Sequence, residues 1–385
     1  GPVGRVYGWN TVGAIFGSSL GGLALLPLID VRGAVLVALS INLIAATVAW
    51  TARERQTPLP ARQPRRYRKR IAITGASIGL IHMASTIDIK SLGGHLSKEF
   101  PYWDPLLITA GTYKYVDYIP EGKRNIRDVW GAVWGLSVVH WDLLYYEEGL
   151  STVVTVAQDR KNGNIWLANN GKVDASSVMD MPTQVLVGHL PFVFRPHAED
   201  ILVIGLASGI TAGAVTSHCN PDESGTCRIG SKGIEIIEIE PTIERASHFF
   251  DDHNNRPLDD PRVDFYIEDG RNHVLRQPDG RYDLIVSEPP NPWISGVANL
   301  FTREFFDLGK SKLSEGGIWT QWVQMYGMSP YDLRSLLRTF SETYDNVMLF
   351  TTIEDSDLVM VGSDGPLDLD VQAIQEMMDM DAQVQ

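Results

Sequence analysis

The sequence predicts an α/β protein built on a doubly wound parallel sheet, and three observations carry that prediction. Ile201-Leu-Val-Ile204 is a short unbroken apolar run, as a strand buried on both faces requires. Gly205-Leu-Ala-Ser-Gly209 follows it, and then the helical stretch Ile210-Thr-Ala-Gly-Ala-Val215. The unit recurs in Ile234–Glu240, Val263–Ile267 and Tyr282–Ser287, each strand ending in acidic or polar residues: Glu238 and Glu240, Glu268-Asp269, and Glu288-Pro-Pro-Asn-Pro-Trp293. A glycine turn entering a helix leaves backbone N–H groups free for a ligand. Acids at the C-terminal ends of successive parallel strands stand where open α/β sheets bind one.

The flanking elements follow in order. Val6 to Ile29 and Gly33 to Trp50 contain no charged residue, and only Asp30-Val-Arg32 separates them. Each is long enough to cross a bilayer, so the pair reads as a transmembrane helical hairpin. Gly13, Gly17 and Gly21 recur at the spacing that lets a neighbouring helix approach closely. Arg53–Arg70 holds eight basic residues against one acid, with Pro58, Pro60 and Pro64. It reads as an extended basic linker that holds the hairpin to the cytoplasmic side and meets lipid headgroups. Ile71–Ile87 is uncharged but carries Thr74, Ser77, His82, Ser85 and Thr86, which favours an interfacial helix over a third span. Lys90 to Val139, with Trp103, Tyr113, Tyr115 and Tyr118, suggests a packed connecting layer.

Alternation in Ser151–Val156 and the turn signal Asn169-Asn170-Gly171 predict a small antiparallel sheet. Asp180–Leu190 reads as a helix ending at Pro191. Beyond the fourth parallel strand come a helix over Phe301–Leu313, a stop at Gly316-Gly317 and a fifth strand over Ile318–Val323. A helix over Pro330–Tyr344 and two closing antiparallel strands, Val347–Thr352 and Asp357–Val361, complete the pattern. The divisions are a hairpin at 1–50, a linker at 51–70, a connecting segment at 71–140, a β-rich domain at 141–197, the ligand-binding domain at 198–365 and an acidic tail at 366–385.

The net charge of −14, or −21 outside the basic linker, argues against nucleic acid as a partner. Cys219 and Cys227 lie in one loop and read as two free thiols; a local disulfide would argue for an oxidising compartment. No metal-ligand spacing surrounds them. The glycine turn is G-x-x-x-G rather than G-x-G-x-x-G, which disfavours a nicotinamide cofactor. Glu238 ends the second strand, where an acid accepts both hydroxyls of a ribose. Asp269 ends the third, where a carboxylate can take an adenine amino group or simply cap a helix. Glu288 sits where the sheet opens, with Pro289 and Pro290 behind it, and can take a proton from an attacking amine or hydroxyl.

From about Leu143 to Gly362 the chain resembles the spermidine synthase (polyamine aminopropyltransferase) family. Asp200-Ile-Leu-Val-Ile-Gly-Leu-Ala-Ser-Gly209 is similar to the family's strand and G-G-G-D-G-G turn, and Glu238-Ile-Glu240 to its V-E-I-D. Asp259-Asp-Pro-Arg-Val263 matches its D-D-P-R-V, and Asp269-Gly270 its adenine-contacting D-G. Tyr282-Asp-Leu-Ile-Val286 and Leu300-Phe-Thr-Arg-Glu-Phe-Phe306 flank the catalytic loop as Y-D-V-I and L-F-T-E-E-F-Y do. With its apolar N-terminus the chain resembles the bacterial membrane-fused, transporter-like members.

The resemblance implies a Rossmann-like, class I methyltransferase-type sheet and a multi-pass inner-membrane protein with a cytoplasmic catalytic domain. It also implies a homodimer, an S-adenosylmethionine or decarboxylated S-adenosylmethionine co-substrate without metal, and a polyamine-like amine acceptor. It places Glu288 at the catalytic aspartate. Gly205, Ser208, Gly209, Gln184, Glu238, Asp269 and Gly270 fall on the donor site, and Asn291, Asp174, Lys172 and Thr183 on the acceptor side.

The departures fall mostly in the acceptor half. Asn291 replaces the second aspartate of D-S-S-D-P, Thr183-Gln-Val-Leu186 replaces Y-[HQ]-E-M, and Asn170-Gly-Lys-Val-Asp174 replaces D-G-x-x-Q. The late T-Y-P-S-G run is absent near Ile353–Asp357. Ser208 stands at the turn aspartate that holds the donor's amine. Loss of that charge, with Lys172 nearby, would suit the carboxylate of intact S-adenosylmethionine. Aminopropyl transfer, cyclisation or elimination of the same donor, methyl transfer, and nucleoside sensing without turnover remain as readings.

Overall fold

The computed structural model describes residues 11–18, 20–21, 26–55, 64–86, 140–219, 227, 229–294, 296–354, 356–369, 371 and 375. The chain divides into two units, 1–104 and 105–385.

In the first unit, helix α1 (Leu26–Arg55) runs unbroken through Asp30-Val-Arg32, where the sequence suggested a turn. Two charged residues do not stop a helix; Pro27, in the first turn, marks the start. Helix α2 (Pro64–Thr86) takes in residues 64–70 of the basic segment and α1 its first three, so both ends of that segment are helical rather than extended; residues 56–63 lie outside the described residues. Pro64 opens the helix at the one position where a missing N–H is harmless, and arginine and lysine are good helix formers. The two helices meet where Thr47 Oγ1 lies 2.5 Å from Thr74 Oγ1. Among the described residues, a Cβ placed on Gly13, Gly17 or Gly21 would meet nothing within 4 Å. No helix among the described residues is long and apolar enough to cross a membrane. The aromatic stretch between Lys90 and Val139, and most of the acidic tail, lie outside the described residues.

The described part of the second unit opens with an antiparallel sheet in the order β1 (Trp141–Glu148), β2 (Val153–Asp159), β3 (Ile165–Asn169), β4 (Lys172–Ser176). Asn170 (φ 50°) and Gly171 (φ 81°) form the β3–β4 turn, both at the positive φ that a tight hairpin requires. The β1–β2 turn is clamped from outside. Glu240 accepts from Ser151 N and Ser151 Oγ, both at 2.9 Å. Helix α3 (Met181–Phe194) follows and carries Pro191 inside it rather than after it.

The remaining strands are β5 (Asp200–Ile204), β6 (Gly233–Glu238), β7 (Val263–Ile267), β8 (Tyr282–Ser287), β9 (Leu313–Gln324), β10 (Asn346–Thr351) and β11 (Asp357–Ser363). They form one sheet in the order β10-β11-β9-β8-β5-β6-β7. β7, β6, β5, β8 and β9 are parallel, and β11 is antiparallel to both of its neighbours. Chain order reverses between β5 and β8, which opens a crevice at their C-terminal ends.

Helices α3, α4 (Ile210–Ser217) and α5 (Pro241–Ser247) cover one face. They bury Val187, Phe192, Ile210, Val215 and Ile243 against Ile201, Val203, Leu284 and Val286. Helices α6 (Gly270–Arg276), α7 (Arg303–Lys312) and α8 (Pro330–Ser341) cover the other, with Val274, Phe305, Phe306 and Phe340 over Leu202, Ile204 and Ile285. Gly316-Gly317 does not end α7. Leu313 already belongs to β9, and the glycines lie where the β8–β9 register shifts.

Glu235 is a buried acid within β6. Burial would raise its pKa, but hydrogen bonds with His273, Tyr282 and Arg281 bring it down to about 2. Cys219 and Cys227 are joined in a disulfide, correcting the reading of free thiols. Arg262 draws the ends of that loop together. Its guanidinium donates to His218 O at 2.8 Å, to Ile229 O at 3.0 Å and also to Thr216 O. The Cys219 and Cys227 Cα atoms are 4.9 Å apart, an ordinary separation for a disulfide.

Candidate active site

The crevice is lined first by the turn after β5. Gly205 has φ 98°, and a Cβ there would lie 2.9 Å from Glu288 O. Glycine is thus required both for the turn and for the passage of the β8 loop beside it. Gly209 (φ 78°) caps α4 at its N-terminus. Ser208 is buried and its Oγ donates to Gln184 Oε1 at 2.5 Å, while Gln184 Nε2 donates to Ser176 O at 2.9 Å. Gln184 therefore ties the glycine turn to the last strand of the antiparallel sheet.

Glu238 stands at the end of β6, across from this turn. Its carboxylate accepts from Leu206 N at 3.1 Å and Glu240 N at 3.0 Å. Burial pushes its pKa up, and those backbone donors oppose the rise. Asp269 follows β7 and caps α6 by accepting from Asn272 N at 2.8 Å. The capping role weighed from the sequence is therefore real. A Cβ on Gly270 would lie 2.9 Å from Ile204 Cγ2, so α6 starts hard against the end of β5.

Glu288 follows β8 on the α3–α4 side. Its carboxylate accepts from Thr211 Oγ1 in the first turn of α4. Burial pushes its carboxyl up to about 7. The Thr211 hydrogen bond resists, the charges of Asp357 and Asp180 add to the rise, and Lys172 opposes it. The folded pKa exceeds the ordinary carboxylate value of 4.5. The fold therefore favours protonated Glu288, a contribution complete below about 4.5 and lost as pH climbs through about 7.

Among the residues that the resemblance assigns to the acceptor, Thr183 Oγ1 donates to Asp357 Oδ2 at 2.7 Å. Lys172 is ion-paired with Asp174 at 2.5 Å and lies 5.9 Å from the Trp322 ring centroid. Its charge is engaged by Asp174, contrary to its expected role of attracting a donor carboxylate. Asn291 is fully buried, with Nδ2 on Tyr326 Oη at 3.4 Å and Oδ1 unpartnered.

The crevice thus gathers Gly205, Ser208, Gly209, Gln184, Glu238 and Glu288, with Asp269-Gly270 on its rim. Thr183, Lys172 and Asp174 stand on the antiparallel-sheet side. Thr211, Asp180, Trp322 and Asp357 were not singled out from the sequence. Thr211 could have been found, because a hydroxyl in the first turn of α4 is one turn from the glycine loop. Asp357 depends on a contact 174 residues away and left no local signal.

Residues 181–354 match the spermine/spermidine synthase domain. Over that stretch the chain is similar to the spermidine synthase family. A polyamine aminopropyltransferase of Escherichia fergusonii is 27 % identical over 199 residues, covering 51 % of this chain and 63 % of the relative. The spermidine synthase of Dictyostelium discoideum is 25 % identical over 205 residues, covering 53 % and 68 %. The match to the bacterial relative therefore spans less than two thirds of its length.

A spermidine synthase crystallised with the transition-state analogue AdoDATO superposes with a TM-score of 0.52 at 17 % identity, covering 61 % of this chain and 79 % of that one. The Thermotoga maritima spermidine synthase gives 0.51 at 17 %, covering 61 % and 78 %. These structures establish the fold, including the antiparallel sheet ahead of the Rossmann-like one. The matches do not extend to a membrane-fused type.

Removing the Thr211 hydroxyl should raise the Glu288 pKa further, because its hydrogen bond favours the ionised form. A carboxyl-carbon NMR titration should place Glu288 higher in Thr211→Val and near wild type in Thr211→Ser. An unmoved midpoint in Thr211→Val would contradict this geometry.

Proposed function

We propose that the domain is an aminopropyltransferase acting on decarboxylated S-adenosylmethionine and a polyamine-like amine. The observation that carries this reading is Glu288: a carboxylate at the switch point of the sheet, held by Thr211, with a pKa of about 7. A general base poised near the working pH is what an amine nucleophile needs. The acceptor nitrogen attacks the carbon beside the sulfonium, forming the N–C bond. The C–S bond breaks, sulfur keeps the electron pair, and methylthioadenosine leaves. The proton lost from nitrogen passes to Glu288. Most of the acceleration would come from aligning the two substrates, since the sulfonium is already a good leaving group.

In this reading Glu238 accepts the ribose hydroxyls, and the Asp269 oxygen not used in the cap takes the adenine amino group. Ser208 and Gln184 face the donor's amine. The relatives' names support the decarboxylated donor, and the engagement of Lys172 by Asp174 removes the main attraction for a carboxylate.

Mass spectrometry with each donor, with and without putrescine, tests the reading. Methylthioadenosine should form only when amine is present. Its rate should rise with pH through about 7. Glu288→Gln should lower it about 10²–10⁴-fold and abolish that limb. Methylthioadenosine without an acceptor would instead indicate cyclisation or elimination, and S-adenosylhomocysteine would indicate methyl transfer.

We also propose that the first unit attaches the protein to the cell membrane with the synthase domain on the cytoplasmic side. Exposed Leu28, Leu39, Ile41, Ile44 and Val48 on α1 support a lipid contact. The basic residues Arg53–Arg70 favour the cytoplasmic face. The Cys219–Cys227 bond pulls toward an oxidising compartment. The basic segment outweighs it here because it acts on topology directly. Carbonate washing of membranes should leave the chain in the pellet, and release into the supernatant would rule the attachment out.

A further inference from the structure

The end of the pocket beyond Glu288 contains groups that the transfer chemistry does not use. Asp357 opens β11 and is only 6 % exposed. Two neutral donors hold its carboxylate: Trp322 Nε1 reaches Oδ1 at 3.2 Å, and Thr183 Oγ1 reaches Oδ2 at 2.7 Å. Neither balances its charge. Lys172, the cation that also acts on Glu288, is paired with Asp174.

Beside Asp357 lies Gln324. The antiparallel register of β9 and β11 sets the two residues directly opposite each other, so their side chains share a face of the sheet. Trp322, two residues earlier on β9, identifies that face, since its indole N–H reaches Asp357. Gln324 is 0 % exposed, and neither its Nε2 nor its Oε1 has a hydrogen-bond partner. A buried amide with both ends unsatisfied is an unfavourable feature that packing does not explain. Its oxygen end is explained if a ligand donates a hydrogen bond to it.

Resting on the transfer reading, we propose that Asp357 and Gln324 are the specificity-determining pair for the acceptor. They take a second protonated amine, remote from the attacking nitrogen, which donates to the Asp357 carboxylate and to Gln324 Oε1. Asp357 stands where the late T-Y-P-S-G run of the resemblance is missing, so this chain reads the far end of its acceptor with its own residues. It selects a diamine over a monoamine of the same length. Asp357 is close enough to raise the Glu288 pKa, so an ammonium bound there also eases ionisation of the base.

The test is calorimetric titration of the full chain with putrescine and with n-butylamine, each in saturating methylthioadenosine. Wild type should bind putrescine at least about tenfold more tightly, as expected for a charge-assisted hydrogen bond. Asp357→Asn should bring the two amines close to parity. Gln324→Leu should weaken putrescine several-fold and leave n-butylamine unchanged. In the absence of ligand, Gln324→Leu should melt no lower than wild type, because the amide has no folded-state bonds to lose. A purely structural glutamine would show the reverse. Equal affinity of wild type for both amines, absence of amine binding, or an unchanged preference in both variants overturns the proposal. Binding is read separately from turnover. A chain that shows this preference yet forms no methylthioadenosine contradicts the transfer reading and leaves the pair assigned.

Discussion

The arrangement depends on a topological constraint: β5 and β8 are neighbours, but the chain leaves them toward opposite faces of the sheet. Helix α4 follows β5 onto one face, and the segments after β8 lead to the other. The two crossovers diverge at the C-terminal ends of these strands, and the loops that follow meet in the gap between them. Gly205 lets the two loops touch there, since any Cβ would press on the Glu288 carbonyl. The glycine turn, the carboxylates and the base are consequences of that gap, because parallel strands direct their following loops to one edge.

Within the gap, desolvation decides the chemistry. Glu288 loses water to α3, α4 and the antiparallel sheet, and its neighbours do not fully compensate. Thr211 offers one neutral donor, and the Lys172 charge is shared with Asp174. The contrast with Glu235 is instructive. That acid is also buried, but His273, Tyr282 and Arg281 saturate it and its pKa falls to about 2. Glu235 holds β6 to α6 and β8, whereas Glu288 is left able to change its proton.

Much of the fold was legible because strands buried on both faces must be apolar throughout. Tyr282–Ser287 read to the residue for that reason. The errors arose where a local signal was overruled by distant packing. Gly316-Gly317 looks like a stop but accommodates a register shift within β9, and Pro191 looks like an end but lies inside α3. Asp30 and Arg32 look like a turn but lie within α1. The part of the crevice lined by strand-end acids and the glycine turn was readable. The acceptor half was not, because Thr211–Glu288 and Thr183–Asp357 join residues 77 and 174 positions apart. Cys219 and Cys227 failed similarly, since Arg262, in the turn ahead of β7, gathers the carbonyls on either side of their loop.

The central claim is that Glu238, Asp269 and Glu288 border one adenosyl-binding crevice rather than three unrelated strand ends. Equilibrium binding of methylthioadenosine to wild type and to Glu238→Gln tests it most directly. The account predicts a single site per chain in wild type. It also predicts about tenfold or greater weakening in the variant, the effect of removing the charge from a paired hydrogen bond to the ribose. No binding to wild type, or equal affinity in both proteins, would contradict it.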